Sequence, residues 1–224
     1  MNTKVAVILA GCGAFDGSEV SEVILTLLEL EKNQLHHTCF APDMQTCIVN
    51  HFTQQEQQET RNVLEESARI VRGQVQDLSR LNPCDYEALV IAGGFGVARN
   101  LSNLASSPKE LVLHPELAAI LTTFKEQKKY VGALCIAPAI LPLIYPDLAC
   151  TVGHDEEISA RIQSMGGRTY RCEVNDYYED MQNKVLSTPA YMLAQTIHEA
   201  HQGIAALVAQ LALRLKGDLK PPVL

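Results

Sequence analysis

Tyr130-Val131-Gly132-Ala133-Leu134-Cys135-Ile136-Ala137-Pro138 carries an apolar strand directly into one nucleophilic residue, and a short helix towards Ile144 starts at once after it. Strand, tight turn and helix in that order hold a side chain above the edge of a sheet, as in a nucleophile elbow. A thiol so placed gains from the helix N-terminus, whose partial positive charge and unpaired N–H groups favour thiolate over thiol. The backbone N–H of Ile136 is also placed to receive an oxyanion. Ala137 stands where the hydrolase pattern carries glycine. Because free cysteine is among the most buried residue types, an inert core thiol is the competing reading.

The same alternation extends in both directions. Val5–Ala10 is a nearly continuous apolar run, as in a strand buried on both faces. Val20, Val23, Ile24, Leu27 and Leu28 recur at helical spacing and predict one buried helix face. A strand over His37–Ala41 stops at Pro42, and Val63, Leu64, Ala68 and Val71 predict a helix from about Thr60 to Val71, capped by Gly73. Tyr86–Ala92 is the clearest central strand, and Glu116–Lys128 reads as a helix with Pro115 in its first turn. Beyond the elbow the pattern predicts strand Ala149–Val152, helix Glu156–Met165, strands near Arg168–Glu173 and Lys184–Ser187, and a long helix Met192–Leu215. Strand–helix alternation of this kind predicts an α/β fold with a mostly parallel sheet. One domain over residues 1–215 and a tail over 216–224, where Pro221-Pro222 cannot continue a helix, complete the reading.

Composition narrows the function classes. The 224 residues are 47% hydrophobic and 20% charged, enough apolar material for a sizeable core. A net charge of −8 without a Lys/Arg block makes nucleic acid and anionic membranes poor partners. No apolar run reaches the roughly 20 residues of a spanning helix. The start, Met1-Asn2-Thr3-Lys4, lacks the layout of a signal peptide or a transit segment. Seven cysteines with no C-x-x-C pair point to free thiols in a reducing, cytoplasmic setting rather than to disulfides or zinc.

Parallel sheets bind ligands beyond the carboxyl ends of their strands, so turns that follow strands carry most interest. Gly93-Gly94-Phe95-Gly96 permits close backbone approach, and the Gly94 N–H is a second candidate oxyanion donor. Gly11-Cys12-Gly13-Ala14-Phe15-Asp16-Gly17 misses the dinucleotide spacing, its last glycine falling one residue late. Glu19, three residues after Asp16, reads as a capping-box partner, and Glu22 falls opposite the apolar stripe as a solvated carboxylate. His154 follows a strand and is either a base or a polar loop residue; His198 and His201 read as surface histidines with no third metal ligand.

Taken together, Val7-Ile8-Leu9-Ala10-Gly11-Cys12-Gly13, Asp16-Gly17-Ser18-Glu19, Cys39-Phe40-Ala41-Pro42-Asp43, Glu59-Thr60-Arg61-Asn62-Val63-Leu64, Gly93-Gly94-Phe95-Gly96 and Asn100-Leu101-Ser102-Asn103 carry a resemblance. So do Cys135-Ile136-Ala137-Pro138-Ala139 and Thr188-Pro189-Ala190-Tyr191-Met192-Leu193-Ala194-Gln195. The chain resembles the ElbB group, the enhancing lycopene biosynthesis proteins or ElbB-type glyoxalases, within the ThiJ/PfpI branch of the class I glutamine amidotransferase-like superfamily. The resemblance implies a flavodoxin-like three-layer α/β sandwich with Cys135 as nucleophile. It implies conversion of glyoxal to glycolate without glutathione, metal or other cofactor, on a small aldehyde substrate. It places an acidic residue of the first helix beside the thiol, matching Glu22 with Glu19 as runner-up, and overrides the amphipathic reading. A histidine about twenty residues after the nucleophile in the glyoxalase branch matches His154. Gly93, Gly94 and Ile136 fall at the oxyanion and substrate positions. Ile136 replaces the histidine that amidases of the superfamily carry next to the nucleophile, which argues against an amidase or protease. Self-association is common in the superfamily, so a homodimer is compatible. Animal relatives are mitochondrial, yet a bacterial cytoplasm is the expectation here.

Two other functions use the same thiol. One is a redox sensor or partner-binding protein in isoprenoid or stress metabolism, with Cys12 as resolving thiol. The other is deglycation of a protein or nucleotide adduct.

Overall fold

The computed structural model describes residues 3–106 and 111–217. From the N-terminus come β1 (Lys4–Ile8), α1 (Val20–Lys32), β2 (His36–Ala41), β3 (Gln45–Asn50), β4 (Gln55–Asn62) and α2 (Val63–Ile70). Next are β5 (Val75–Asp77), β6 (Ala88–Ile91), α3 (Gly96–Arg99), α4 (Pro115–Glu126) and β7 (Tyr130–Leu134). The chain then adds β8 (Ala149–Cys150), α5 (Glu156–Ser164), β9 (Arg168–Thr169), β10 (Tyr178–Asp180), β11 (Val185–Thr188) and α6 (Ile197–Lys216).

Seven of these strands form one sheet in the order β10-β11-β7-β6-β1-β2-β5. Every pair is parallel except β10 with β11. The chain steps outward from β1 to β2 and β5, then returns to β6 and proceeds the other way. Strand order therefore reverses between β1 and β6, and both strands lie in the centre, where their apolar runs are fully buried. A crevice outside their carboxyl ends is the favoured ligand position in such sheets. Helices flank the sheet, with α1 packed on α6, and the flavodoxin-like expectation holds.

Several boundaries move. The expected helix from Thr60 begins only at Val63, because Gln55–Asn62 pairs antiparallel with Gln45–Asn50 in a separate hairpin. β4 is polar throughout and exposed until its last residue, so no apolar alternation announced it. The terminal helix starts at Ile197, where the Thr196 side chain accepts from the Glu199 N–H; a short turn over Ala190–Met192 precedes it. It runs on through Lys216 to Gly217, and residues 218–224 of the expected tail lie outside the described residues. Arg168–Thr169 is all that forms of the strand expected to Glu173, and it pairs with β8 apart from the main sheet.

The predicted face of α1 is also corrected. Val20, Ile24 and Leu28 are exposed, whereas Glu22, Val23, Thr26, Glu29 and Leu30 are buried. Polar residues can occupy that face because two of them have partners. Glu29 accepts from Lys32 at 2.6 Å and meets His201 Nε2 at 2.7 Å, so His201 is an interhelix partner rather than a free surface residue.

One side chain ties the carboxyl ends of the central strands together. Asn100, 2% exposed, donates from Nδ2 to the carbonyls of Ala10 at 2.7 Å and Asp16 at 2.8 Å. Its Oδ1 accepts from the Thr46 hydroxyl of the hairpin at 2.6 Å. Removing a buried amide that serves three partners leaves unpaired polar groups behind. Asn100→Ala is expected to lower stability by about 2–4 kcal/mol. A urea melt is the check, and a midpoint unchanged from wild type contradicts the assignment.

Candidate active site

Cys135 adopts φ 58°, left-handed for a residue other than glycine, between β7 and the helical turn Ala137–Leu143. A side chain held in that region marks stored backbone strain, fixed here by the surrounding hydrogen bonds. The Cys135 N–H donates to the Thr188 carbonyl at 3.0 Å, locking the elbow to the end of β11. The strand–turn–helix reading of the opening stretch is thus realised, and the residue is 8% exposed.

Glu22 reaches the same point from the first turn of α1. The Glu19 side chain caps that helix by accepting from the Glu22 N–H at 2.7 Å, so Glu19 is itself the N-cap and not the capping-box partner of Asp16. Capping starts α1 so that Glu22 points inward, and Glu22 is wholly buried. Its Oε2 accepts from the Gly93 N–H at 2.9 Å and its Oε1 from the Tyr191 N–H at 3.2 Å. The Cys135 thiol completes this set by hydrogen-bonding the carboxylate. Helical periodicity placed Glu22 in solvent; the resemblance placed it beside Cys135, where it lies.

Gly93 has to be glycine. A Cβ there would run into Glu22 Oε2 and Cys135 Cβ and would lie 3.1 Å from Cys135 Sγ. The turn is fastened from the other side as well. Glu19 N donates to the Gly93 carbonyl at 3.0 Å, Phe95 N to Ala14 O at 2.8 Å and Gly96 N to Gly17 O at 2.8 Å. So held, with Gly94 at φ 95°, the turn aims the Gly94 N–H at the sulfur, and the Ile136 N–H does the same from the elbow.

The electrostatics differ from expectation. Burial pushes the Cys135 thiol well above its usual range, the Glu22 charge pushes it further, and the Gly94 and Ile136 N–H groups pull only partly the other way. Desolvation outweighs the helix terminus, so burial works against the thiolate that the sequence suggested. Burial likewise carries Glu22 up to about 8, against the opposing pull of the Tyr191 N–H. Two acids in one dry site cannot both ionise cheaply, and they titrate as a pair.

His154 lies elsewhere. It is exposed and lines a hollow of about 240 Å³ with Gly153, Glu156, Tyr170 and Arg171, a set that includes neither Cys135 nor Glu22. The sequence reading gave no role to Thr188 and Tyr191. Both act on the site through backbone atoms, which leave no signal in a sequence.

Comparison with known proteins shows the family and the fold. No family model matches the chain. The human glutamine amidotransferase-like class 1 domain-containing protein 3, mitochondrial, is 36% identical over 96% of this chain and 84% of its own. The crystal structure of an isoprenoid biosynthesis protein with an amidotransferase-like domain from Ehrlichia chaffeensis is 35% identical. It superposes with a TM-score of 0.89, covering 95% of this chain and 99% of that one. A DJ-1 superfamily protein from Salmonella typhimurium shares the fold at a TM-score of 0.58 and 18% identity, over 96% and 91% of the two chains. No helix among the described residues is long and apolar enough to cross a membrane.

Glu22 gives stability a pH signature. Its folded value, about 8, lies above the ordinary 4.5, so the folded chain holds a proton that the unfolded chain releases in between. Stability from this source is complete below the unfolded value and is lost as pH rises through the folded one. The wild-type Tm should therefore fall from mildly acidic to mildly alkaline buffer, and the Tm of Glu22→Gln should fall less. Parallel slopes for the two proteins exclude the buried proton.

Proposed function

The chain belongs to the glutamine amidotransferase-like class 1 domain proteins, and on that footing we propose that it is a cofactor-independent glyoxalase of the ElbB type. Its substrate is glyoxal or another small 2-oxoaldehyde, converted to the 2-hydroxy acid. The observation that carries this reading is the Glu22 carboxyl hydrogen-bonded to Cys135, with the Gly94 and Ile136 N–H groups aimed at the same sulfur.

As the sulfur bonds to one aldehyde carbon of glyoxal, its proton passes to the Glu22 carboxylate, whose raised proton affinity suits a base near neutral pH. The carbonyl π-bond opens onto oxygen, and the two N–H groups stabilise that oxyanion until Glu22 returns the proton to it. The hemithioacetal then loses its C–H proton to Glu22, giving an enediolate. Reprotonation at the neighbouring carbon yields a thioester, and water adds to its carbonyl, releasing glycolate and restoring the thiol. The cycle is redox-neutral overall, one aldehyde carbon being oxidised and the other reduced. Glu22 is the base in both proton abstractions, since exposed His154 lines a separate hollow.

At 8% exposure Cys135 is better suited to a free aldehyde than to an adduct on a folded protein. All seven cysteines are free, which fits a reducing compartment such as the cytoplasm.

Two outcomes test the scheme. Cys135→Ser is expected to abolish glyoxal consumption with an unchanged circular dichroism spectrum, and full turnover by that variant would falsify the nucleophile. The wild-type kcat/KM should climb with pH, by up to about tenfold per unit on the acid limb, and level off once the carboxyl that titrates at about 8 is ionised. A rate that is already maximal in mildly acidic buffer rules out Glu22 as the base.

A further inference from the structure

A second cavity opens outside the carboxyl end of β1, at the place where strand order reverses and beneath the β3–β4 hairpin. It measures about 250 Å³, and its lining includes Cys12, Asp16, Asn50, His51, Arg61 and Glu66. None of the groups around Cys135 belongs to it. From a carboxylate and a guanidinium that both line this space we propose that this cavity binds a small α-amino acid as its zwitterion.

Asp16 supplies the cation end. It is 8% exposed, and its Oδ2 accepts from the Val49 N–H of the hairpin at 2.6 Å. The nearest cation-capable group to its Oδ1 is His51 Nε2, at 3.9 Å, beyond hydrogen-bond range. His51 cannot close that gap as a donor. Its Nε2 already accepts from the Phe15 N–H at 3.3 Å, which leaves Nδ1–H to donate to the Val49 carbonyl at 2.9 Å. A ring with both nitrogens so engaged also removes Cys12, His51 and Asp16 as a second catalytic relay. What remains is a carboxylate oxygen open to the cavity with no protein donor within hydrogen-bond range, and an ammonium group supplies one.

Arg61 supplies the anion end. Its contact with a carboxylate is to Glu66 at 3.4 Å, a long bond, and Glu66 is also shared with Arg69 at 3.2 Å. The guanidinium keeps most of its fork of donors, which matches a carboxylate in two-point contact. A free acceptor and a free donor fork on one small cavity call for a ligand that carries both charges. The volume corresponds to about eight waters, a size that suits a small amino acid. Asn50 and Gln57 add neutral partners for a polar side chain.

Cys12 makes occupancy measurable. It lines the cavity and is partly exposed, so its alkylation by N-ethylmaleimide, followed by mass spectrometry of its own peptide, reports whether the space is filled. Millimolar glycine, L-alanine, L-serine and L-aspartate are the probes, with acetate, ethylammonium and glycerol as partners that carry one charge or none. At least one amino acid is expected to slow Cys12 alkylation about tenfold when present at roughly ten times its Kd, while the controls change it by less than about twofold. Arg61→Gln and Asp16→Asn should each remove the protection. Because Asp16 also holds Val49, the Arg61 variant, checked for an unchanged fold, decides the matter if the other is unstable. Absence of protection by all four amino acids overturns the proposal, as does equal protection by acetate or ethylammonium. Glyoxal turnover plays no part in this readout, so the two assignments stand or fall separately.

Discussion

A single buried carboxyl holds the centre of this molecule together. Glu22 leaves α1, accepts from the turn after β6 through Gly93 and from the turn after β11 through Tyr191, and meets the thiol at the end of β7. Four separate stretches of chain converge on one side chain that is wholly out of water. Burying an unpaired charge there would be very costly, so the group is driven towards its neutral form. The same constraint accounts for Gly93, because any Cβ would occupy the space between carboxyl and sulfur. It also accounts for the raised thiol, which shares the dry environment and feels the carboxylate when that forms.

The supporting structure makes the arrangement rigid. Asn100 binds the turn after β1 to the hairpin, and that turn is bonded in its own right to the turn carrying Gly93 and Gly94. The strained Cys135 backbone is held by β11 at one end and a helical turn at the other. Groups carried on such tightly bonded turns hold their geometry before any ligand arrives. The paired acid and thiol share one dry environment and titrate together.

Much of this could be read from residue order, for reasons that differ from place to place. The buried strands were legible because β1 and β6 are continuous apolar runs, and the elbow because one polar residue interrupts strand and helix. The hairpin was not, since β4 reads Gln-Glu-Gln-Gln-Glu-Thr-Arg-Asn and owes its form to pairing with β3 alone. The face of α1 was misjudged for a physical reason: Glu22 and Glu29 are buried through partners far along the chain, at Tyr191 and His201, whereas Val20, Ile24 and Leu28 face outward. Periodicity counts apolar residues and cannot see such partners. Resemblance to a known family, not amphipathicity, put Glu22 in its place. Burial opposes the ionised Cys135 that the elbow suggested, because a helix terminus is a local feature, while burial depends on the whole fold.

Infrared difference spectroscopy of the Glu22 carboxyl is the most direct measurement of this arrangement. A protonated carboxylic acid absorbs apart from carboxylate, and Glu22→Gln identifies the band. The band should be present in mildly acidic buffer and vanish with a midpoint near the value of about 8 set by burial. A band already lost at the ordinary carboxylate range of 4.5 would mean that Glu22 is charged beside the thiol, and the shared-proton site would have to be abandoned.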